Sequence, residues 1–231
     1  MTWRRNKLTD LEGWFVEPVF VPIEKINQFN LRLDDLVPQR ALDVDKQYAE
    51  GAAIAQLNDV AVWWSQQVLD WIEFQSIEES TRHLAVDLLT EPVLYAADVV
   101  TIEPTGRIIN PHVDSPHRFE QWNFDRRLLS VQCIVALNDT NGDNGATGLV
   151  NYSHYDNFPI NYCYSGLYNE YFLKNFYQPV LAKGSLLCYN SRTLHSSMPN
   201  FTNDPRSVLL IQYCESDIVG ELRSIDNIWS K

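Results

Sequence analysis

The chain has 231 residues, 45% of them apolar and 21% charged, the proportions of an ordinary globular protein, which exclude disorder and collagen-like repeats. Thirty acidic residues against eighteen Lys and Arg give a formal charge of −12, a field that repels nucleic acid and anionic lipid, so neither is an expected partner. No apolar run approaches the roughly 20 residues needed to cross a bilayer, and the basic start through Lys7 lacks the apolar stretch of a secretion signal. A soluble, cytoplasmic protein is the expectation.

The four cysteines, Cys133, Cys163, Cys188 and Cys214, show no short paired spacing and read as small core residues. One domain over 1–231 is expected. Residues 1–91 form an extended and helical support, 92–216 a β-rich core, and 217–231 a C-terminal tail.

Up to residue 57 the chain carries scattered Pro and short extended apolar pieces such as 15–23, without a firm period. From Asn58 the apolar residues Val60, Trp63, Trp64, Val68, Trp71 and Ile72 recur at three- and four-residue steps, which predicts a helix capped by Asn58 or Asp59. A second helix is expected to open at the capping box Ser76-Ile77-Glu78-Glu79 and to end before Pro92. Beyond Pro92 the period shortens towards two. The runs 93–102, 107–112, 128–137, 147–150, 185–189 and 207–213 read as strands, separated by turns such as Asn144-Gly145 and Lys183-Gly184. Six or more short strands in about 120 residues suggest a sandwich or barrel. The stretch 152–177, rich in Tyr and Phe without strand alternation, reads as a long insertion suited to a lid or to an aromatic flap.

The informative motif is Asn110-Pro111-His112-Val113-Asp114 at a predicted strand end. Residues two apart on a strand share a face, so His112 and Asp114 can converge on one ion. His195, from a distant strand, can supply a third ligand. Two imidazoles and one carboxylate leave the opposite face of a metal open, the arrangement by which non-haem Fe(II) takes a co-substrate and O2 together. Arg206 heads the alternation Arg206, Val208, Leu210, Gln212, which aims its guanidinium at the same face as apolar side chains. A planar fork of donors there suits the remote carboxylate of a small dicarboxylic acid; pairing with Asp204 or Glu215 is the structural alternative. His117 and His154 read as loop or turn residues.

With these residues in view, the stretch 93–213 resembles the Fe(II)/2-oxoglutarate-dependent dioxygenases, and among them the phytanoyl-CoA dioxygenase-like branch. The likeness rests on His112-x-Asp114, on Asp139-Thr140 followed by Asn144-Gly145-Ala146, on Ser153-His154, and on the block from Gly184 through His195, Pro199-Asn200 and Arg206 to Gln212-Tyr213. Asn151-Tyr152 and Ser196 depart from the branch's usual Pro-Gly and Gly. The resemblance implies a mainly β, double-stranded β-helix (jelly-roll, cupin-like) fold with supporting N-terminal helices. It implies that His112, Asp114 and His195 hold Fe(II), that Arg206 binds 2-oxoglutarate, and that O2 is co-substrate. Tyr95, Ser115 and Ser197 are further expected 2-oxoglutarate contacts by analogy of position. Halogenases of the branch lack the carboxylate that Asp114 supplies, so hydroxylation of a small or medium organic molecule is expected. The rival readings are a prolyl or other protein side-chain hydroxylase, a zinc hydrolase, and a non-catalytic jelly-roll binding module.

Overall fold

The computed structural model describes residues 2–34, 61–64, 69–104, 110–114, 116–117, 120–156 and 169–229. In chain order its elements are α1 (Trp3–Thr9), β1 (Trp14–Glu17), α2 (Ile23–Asp34), β2 (Ala61–Trp64), α3 (Ile72–Leu88), β3 (Pro92–Ile102) and α4 (Glu120–Asn123). There follow β4 (Ser130–Ala136), β5 (Thr147–Val150), a 3-10 turn (Ser153–Tyr155), α5 (Asn169–Asn175), β6 (Phe176–Tyr177), β7 (Leu186–Asn190), β8 (His195–Ser197), β9 (Arg206–Glu215) and α6 (Ser216–Trp229).

The strands form two antiparallel sheets, a major one in the order β1-β7-β4-β9-β3-β2 and a minor one in the order β6-β5-β8. Alternation along the major strands decides what each sheet face meets. Leu209, Ile211 and Tyr213 of β9, with Val131, Cys133 and Val135 of β4, bury against Ile26 and Phe29 of α2 and Phe74, Ile77 and Leu88 of α3. The intervening residues, Val208 of β9 and Ile134 and Ala136 of β4, pack on the other face with Leu149 of the minor sheet. Both faces of β4 are therefore buried, which is why Ser-Val-Gln-Cys-Ile-Val-Ala reads as an almost unbroken apolar run. Each buried Leu, Ile or Phe contributes about 1.5–3 kcal/mol, so the helical layer holds the major sheet as a rigid platform for whatever lies between the sheets. This two-sheet antiparallel architecture is the jelly roll expected from the sequence.

Two local expectations fail. The predicted helix from Asn58 is, over Ala61–Trp64, the strand β2, paired antiparallel with β3 from Ala61↔Ile102 to Trp64↔Val99; residues 58–60 and 65–68 lie outside the described residues. Trp63 and Trp64 fit a three- and four-residue step, but β-branched and aromatic residues also suit an edge strand, and the open edge of β3 decides between them. The second helix starts at Ile72, with Trp71 as N-cap and no side-chain cap. Ser76 and Glu79 lie inside it, because the buried stripe Phe74, Ile77, Thr81, Leu84, Leu88 begins before the capping box. Within the N-terminal support, β1 joins the major sheet against β7, from Trp14↔Tyr189 to Glu17↔Leu186. At the other end, residues 216–229 form α6, whose Ile218, Val219 and Leu222 pack with Trp122, Leu129 and Cys214. Cys133, Cys188 and Cys214 are buried free thiols; Cys163, the predicted strand residues 107–109 and the centre of the aromatic insertion, 157–168, lie outside the described residues.

Candidate metal centre

Backbone pairing brings two distant imidazoles together. The His112 N–H donates to the His195 carbonyl at 2.9 Å, and the His195 N–H donates back to the His112 carbonyl at 3.0 Å. Such a mutually bonded antiparallel pair places both side chains on one face, and the ring centroids lie 4.4 Å apart. Two residues on, the Asp114 N–H donates to the Ser191 carbonyl at 2.8 Å, which returns the Asp114 side chain to that face. One ligand atom from each of His112, Asp114 and His195 lies within 4.8 Å of the others. His195 Nε2 is 3.4 Å from Asp114 Oδ2, and His112 Nε2 is 3.8 Å from Asp114 Oδ1.

The two imidazoles are oriented in the same way. His112 Nδ1 bonds to the Asn110 carbonyl at 2.8 Å and His195 Nδ1 to the Thr193 carbonyl at 2.9 Å. A carbonyl only accepts, so Nδ1 carries the proton and Nε2 turns its lone pair to the carboxylate. This tautomer is the one a metal-ligating imidazole needs. Thr193 is itself held by its hydroxyl donating to the Gly13 carbonyl at 3.1 Å. Gly13 adopts φ +88°, and a Cβ there would lie 2.5 Å from His154 Nδ1 and 2.8 Å from Thr193 Oγ1. The chain from α1 to β1 thus clamps the loop that carries His195.

The cluster opens on a cavity between the sheets, with Val100, Ile134, Val208 and Leu210 on one wall and Thr147 and Ser197 on the other. Arg206 is the next inward residue of β9 beyond Val208 and is 1% exposed. Its Nη2 donates to the Gly145 carbonyl, and its buried Nε has no partner. Asn144 fixes that carbonyl: its side chain accepts from Asn141 N–H and donates to the Asp139 carbonyl, both at 2.8 Å, and Gly145 completes the turn at φ +82°. Burial pushes the guanidinium down to about 10. No carboxylate of the described residues pairs with Arg206: Asp204 bonds through its carbonyl to Asn200 and Thr202, and Glu215 accepts the Thr90 and Glu91 N–H groups. A buried cation with a spare donor fits an anionic guest.

The remaining expected contacts divide. Ser197 lines the cavity opposite Thr147. Tyr95 sits at the bulge of β3 and packs on the α4 and α6 cluster, its hydroxyl buried without a partner. Ser115 lies outside the described residues. His117 and His154 are not in the cluster: His117 Nδ1 bonds to the Trp122 carbonyl at 3.1 Å, and burial pushes this imidazole down to about 3. His154 Nε2 lies 3.3 Å from the Thr9 carbonyl.

Two residues at or near the site were not foreseen. Tyr189 of β7 points its hydroxyl at Asp114 Oδ2 (3.3 Å) and at His195 Nε2 (3.2 Å); burial beside Asp114 raises its pKa well above the usual phenol range, so it stays a donor. Arg192 is 3% exposed and donates to the carbonyls of Asp125 (2.6 Å), His154 (2.9 Å) and Asp156 (2.9 Å), tying the base of the aromatic insertion to the β7–β8 turn. In the sequence both sit where they could equally be core and rim residues; the fold brings Tyr189 to the cluster and ties Arg192 to the insertion.

Residues 14–208 match the family model described as phytanoyl-CoA dioxygenase (PhyH). Among solved structures, HygX from Streptomyces hygroscopicus with nickel and 2-oxoglutarate bound is 14% identical at TM-score 0.68, over 94% of this chain and 88% of that one. The carbocyclase SnoK from nogalamycin biosynthesis, described as non-haem and α-ketoglutarate dependent, is 14% identical at TM-score 0.66, covering 94% and 85%. The epimerase SnoN from nogalamycin biosynthesis, in complex with Fe3+, α-ketoglutarate and nogalamycin RO, is 17% identical at TM-score 0.64, covering 92% and 81%. At these identities the likeness is one of fold. No curated protein matches the sequence. Among the described residues no helix is long and apolar enough to cross a membrane.

Proposed function

Because the chain belongs to the phytanoyl-CoA dioxygenase (PhyH) family, we propose that it is an Fe(II)- and 2-oxoglutarate-dependent dioxygenase that hydroxylates a small or medium organic molecule, with succinate and CO2 as co-products. The observation that carries this reading is the convergence of His112, Asp114 and His195, from two distant segments, with both Nε2 lone pairs turned to one carboxylate. Those three side chains would hold the iron. Arg206, buried with a spare Nε–H, would hold the far carboxylate of 2-oxoglutarate, and the Ser197 hydroxyl would add a contact from the opposite wall. Bound there, iron with 2-oxoglutarate supplies the oxidising power that activates O2 and places one oxygen atom into a substrate C–H bond.

The chain's own work is geometric and electrostatic. Three ligands on one face leave the other face for co-substrate and O2. The apolar walls Val100, Ile134, Val208 and Leu210 keep water from the centre, and the carbonyls of Asn110 and Thr193 lock both rings. HygX is described with hygromycin B bound and SnoN with nogalamycin RO, which supports a small organic substrate over a protein side chain. A CoA thioester fits poorly, because its phosphates would face a chain of charge −12.

The test is turnover. Protein loaded anaerobically with Fe(II) and 2-oxoglutarate should show a visible charge-transfer band; after admission of O2 with a panel of amino acids, nucleosides, lipids and peptides, succinate should rise with a product one oxygen heavier. A product without added oxygen would replace hydroxylation by another oxidative outcome. A folded, metal-loaded protein with no band and no succinate would favour the binding module or the hydrolase.

A further inference from the structure

Tyr189 is 1% exposed and faces inward from β7, where its phenol is the only hydroxyl among the described residues bonded to the cluster's ligand atoms. Its one proton has two acceptors in reach, Asp114 Oδ2 and His195 Nε2. His195 Nε2 is an acceptor because Nδ1 spends its proton on the Thr193 carbonyl. Once a metal takes that lone pair, only the carboxylate remains for the phenol. The two Asp114 oxygens are already divided: Oδ2 faces Tyr189 and His195, while Oδ1 is the oxygen nearer His112 Nε2.

We propose that Tyr189 is a positioning residue for Asp114, its phenol holding Oδ2 in a hydrogen bond so that the carboxylate stays turned to the two imidazoles. This rests on the reading of His112, Asp114 and His195 as metal ligands. A hydrogen-bonded ligand is oriented before a metal arrives, so less order has to be gained on binding. The phenol suits the task because it is rigid, stays neutral beside the carboxylate, and is locked by the sheet on either side, opposite Gln132 of β4 and Trp14 of β1.

The experiment is anaerobic Co(II) titration of wild type, Tyr189→Phe, Asp114→Ala and the double variant, followed by the visible d–d spectrum and by melting of the metal-free proteins. Tyr189→Phe keeps the ring, so its metal-free melting temperature should stay within a few degrees of wild type. Its Co(II) dissociation constant should rise about tenfold, the lower end of the effect of losing an outer hydrogen bond to a ligand, with an altered d–d spectrum. In the Asp114→Ala background, Tyr189→Phe should change neither. Unaltered Co(II) affinity and spectrum in Tyr189→Phe would overturn the proposal while leaving the metal site standing. A tenfold loss that persists without Asp114 would overturn it too, because Tyr189 would then act through His195 or through packing. Failure of the wild type to bind Co(II) at all would remove the metal reading and this inference with it.

Discussion

Replacing Arg206 by Met should pull stability and co-substrate binding apart. The guanidinium is buried, and burial lowers its pKa to about 10, a shift equivalent to about 3 kcal/mol of unfavourable desolvation of the charged form. Met removes that cost and keeps most of the side-chain volume. Against it stands the Gly145 carbonyl, which loses its donor; an unpaired buried acceptor costs about 1–3 kcal/mol. The two effects nearly cancel, so the metal-free, co-substrate-free variant should melt within a few degrees of wild type. Binding has no such compensation. Loss of a shielded charged contact to a carboxylate costs about 2–5 kcal/mol, or roughly 30- to 4,000-fold in affinity. Differential scanning fluorimetry with Zn(II) or Ni(II) in place of iron reads both: 2-oxoglutarate should raise the wild-type melting temperature in proportion to the logarithm of its concentration and should leave Arg206→Met unmoved. A variant still stabilised by 2-oxoglutarate like the wild type would place the anion elsewhere. A collapse of the ligand-free variant would make Arg206 a structural clasp for the Asn144-Gly145 turn.

Other consequences are sharper in sign than in size. His195→Ala should abolish succinate release and retain a cooperative melt, because the backbone bridge to His112 does not need the imidazole; wild-type turnover would remove His195 from the chemistry. The buried His117 has a folded pKa near 3 against 6.5 when exposed, so between those values the unfolded chain binds the extra proton. Stability should therefore be full above about pH 6.5 and fall on acidification, by at most about 1.4 kcal/mol per pH unit from this group. His117→Phe should flatten that slope in urea titrations from neutral to about pH 4, and an unchanged slope would refute the assignment. Gly13→Ala forces a Cβ onto His154 and Thr193 at φ +88°, a cost of about 2–4 kcal/mol. Its thermal melt should drop, and metal affinity with it, since Thr193 orients His195; a wild-type melt would contradict the clamp.

What the sequence discloses depends on whether a residue's neighbours are close along the chain. The inward row Arg206, Val208, Leu210, Gln212 is legible because one strand carries it and its two middle residues are apolar. His112 and Asp114 share a face by their two-residue step and gain meaning from the company of His195 and Arg206; the six short strands with turn residues between them suggest a sandwich or barrel, and the jelly roll follows from the family resemblance. Trp63 and Trp64 mislead, because a two-tryptophan edge strand satisfies helical spacing until β3 is known to offer an open edge. The start of α3 misleads for a related reason: burying Phe74 outweighs the local capping box at Ser76. Tyr189 lies in the run Leu-Leu-Cys-Tyr-Asn, where nothing local separates a core aromatic from one whose hydroxyl meets a carboxylate 75 positions away. Arg192 is equally silent, since its partners are backbone carbonyls of Asp125, His154 and Asp156, which carry no side-chain signature. Pairings across the sheets are invisible to periodicity, and the site is assembled from them.

Anomalous diffraction at the iron edge from crystals grown anaerobically with Fe(II) addresses the central claim most directly. A single strong peak bonded to Nε2 of His112, Nε2 of His195 and one oxygen of Asp114 is the expected result. A peak elsewhere, or iron-saturated crystals in which those three side chains hold no metal, would contradict it.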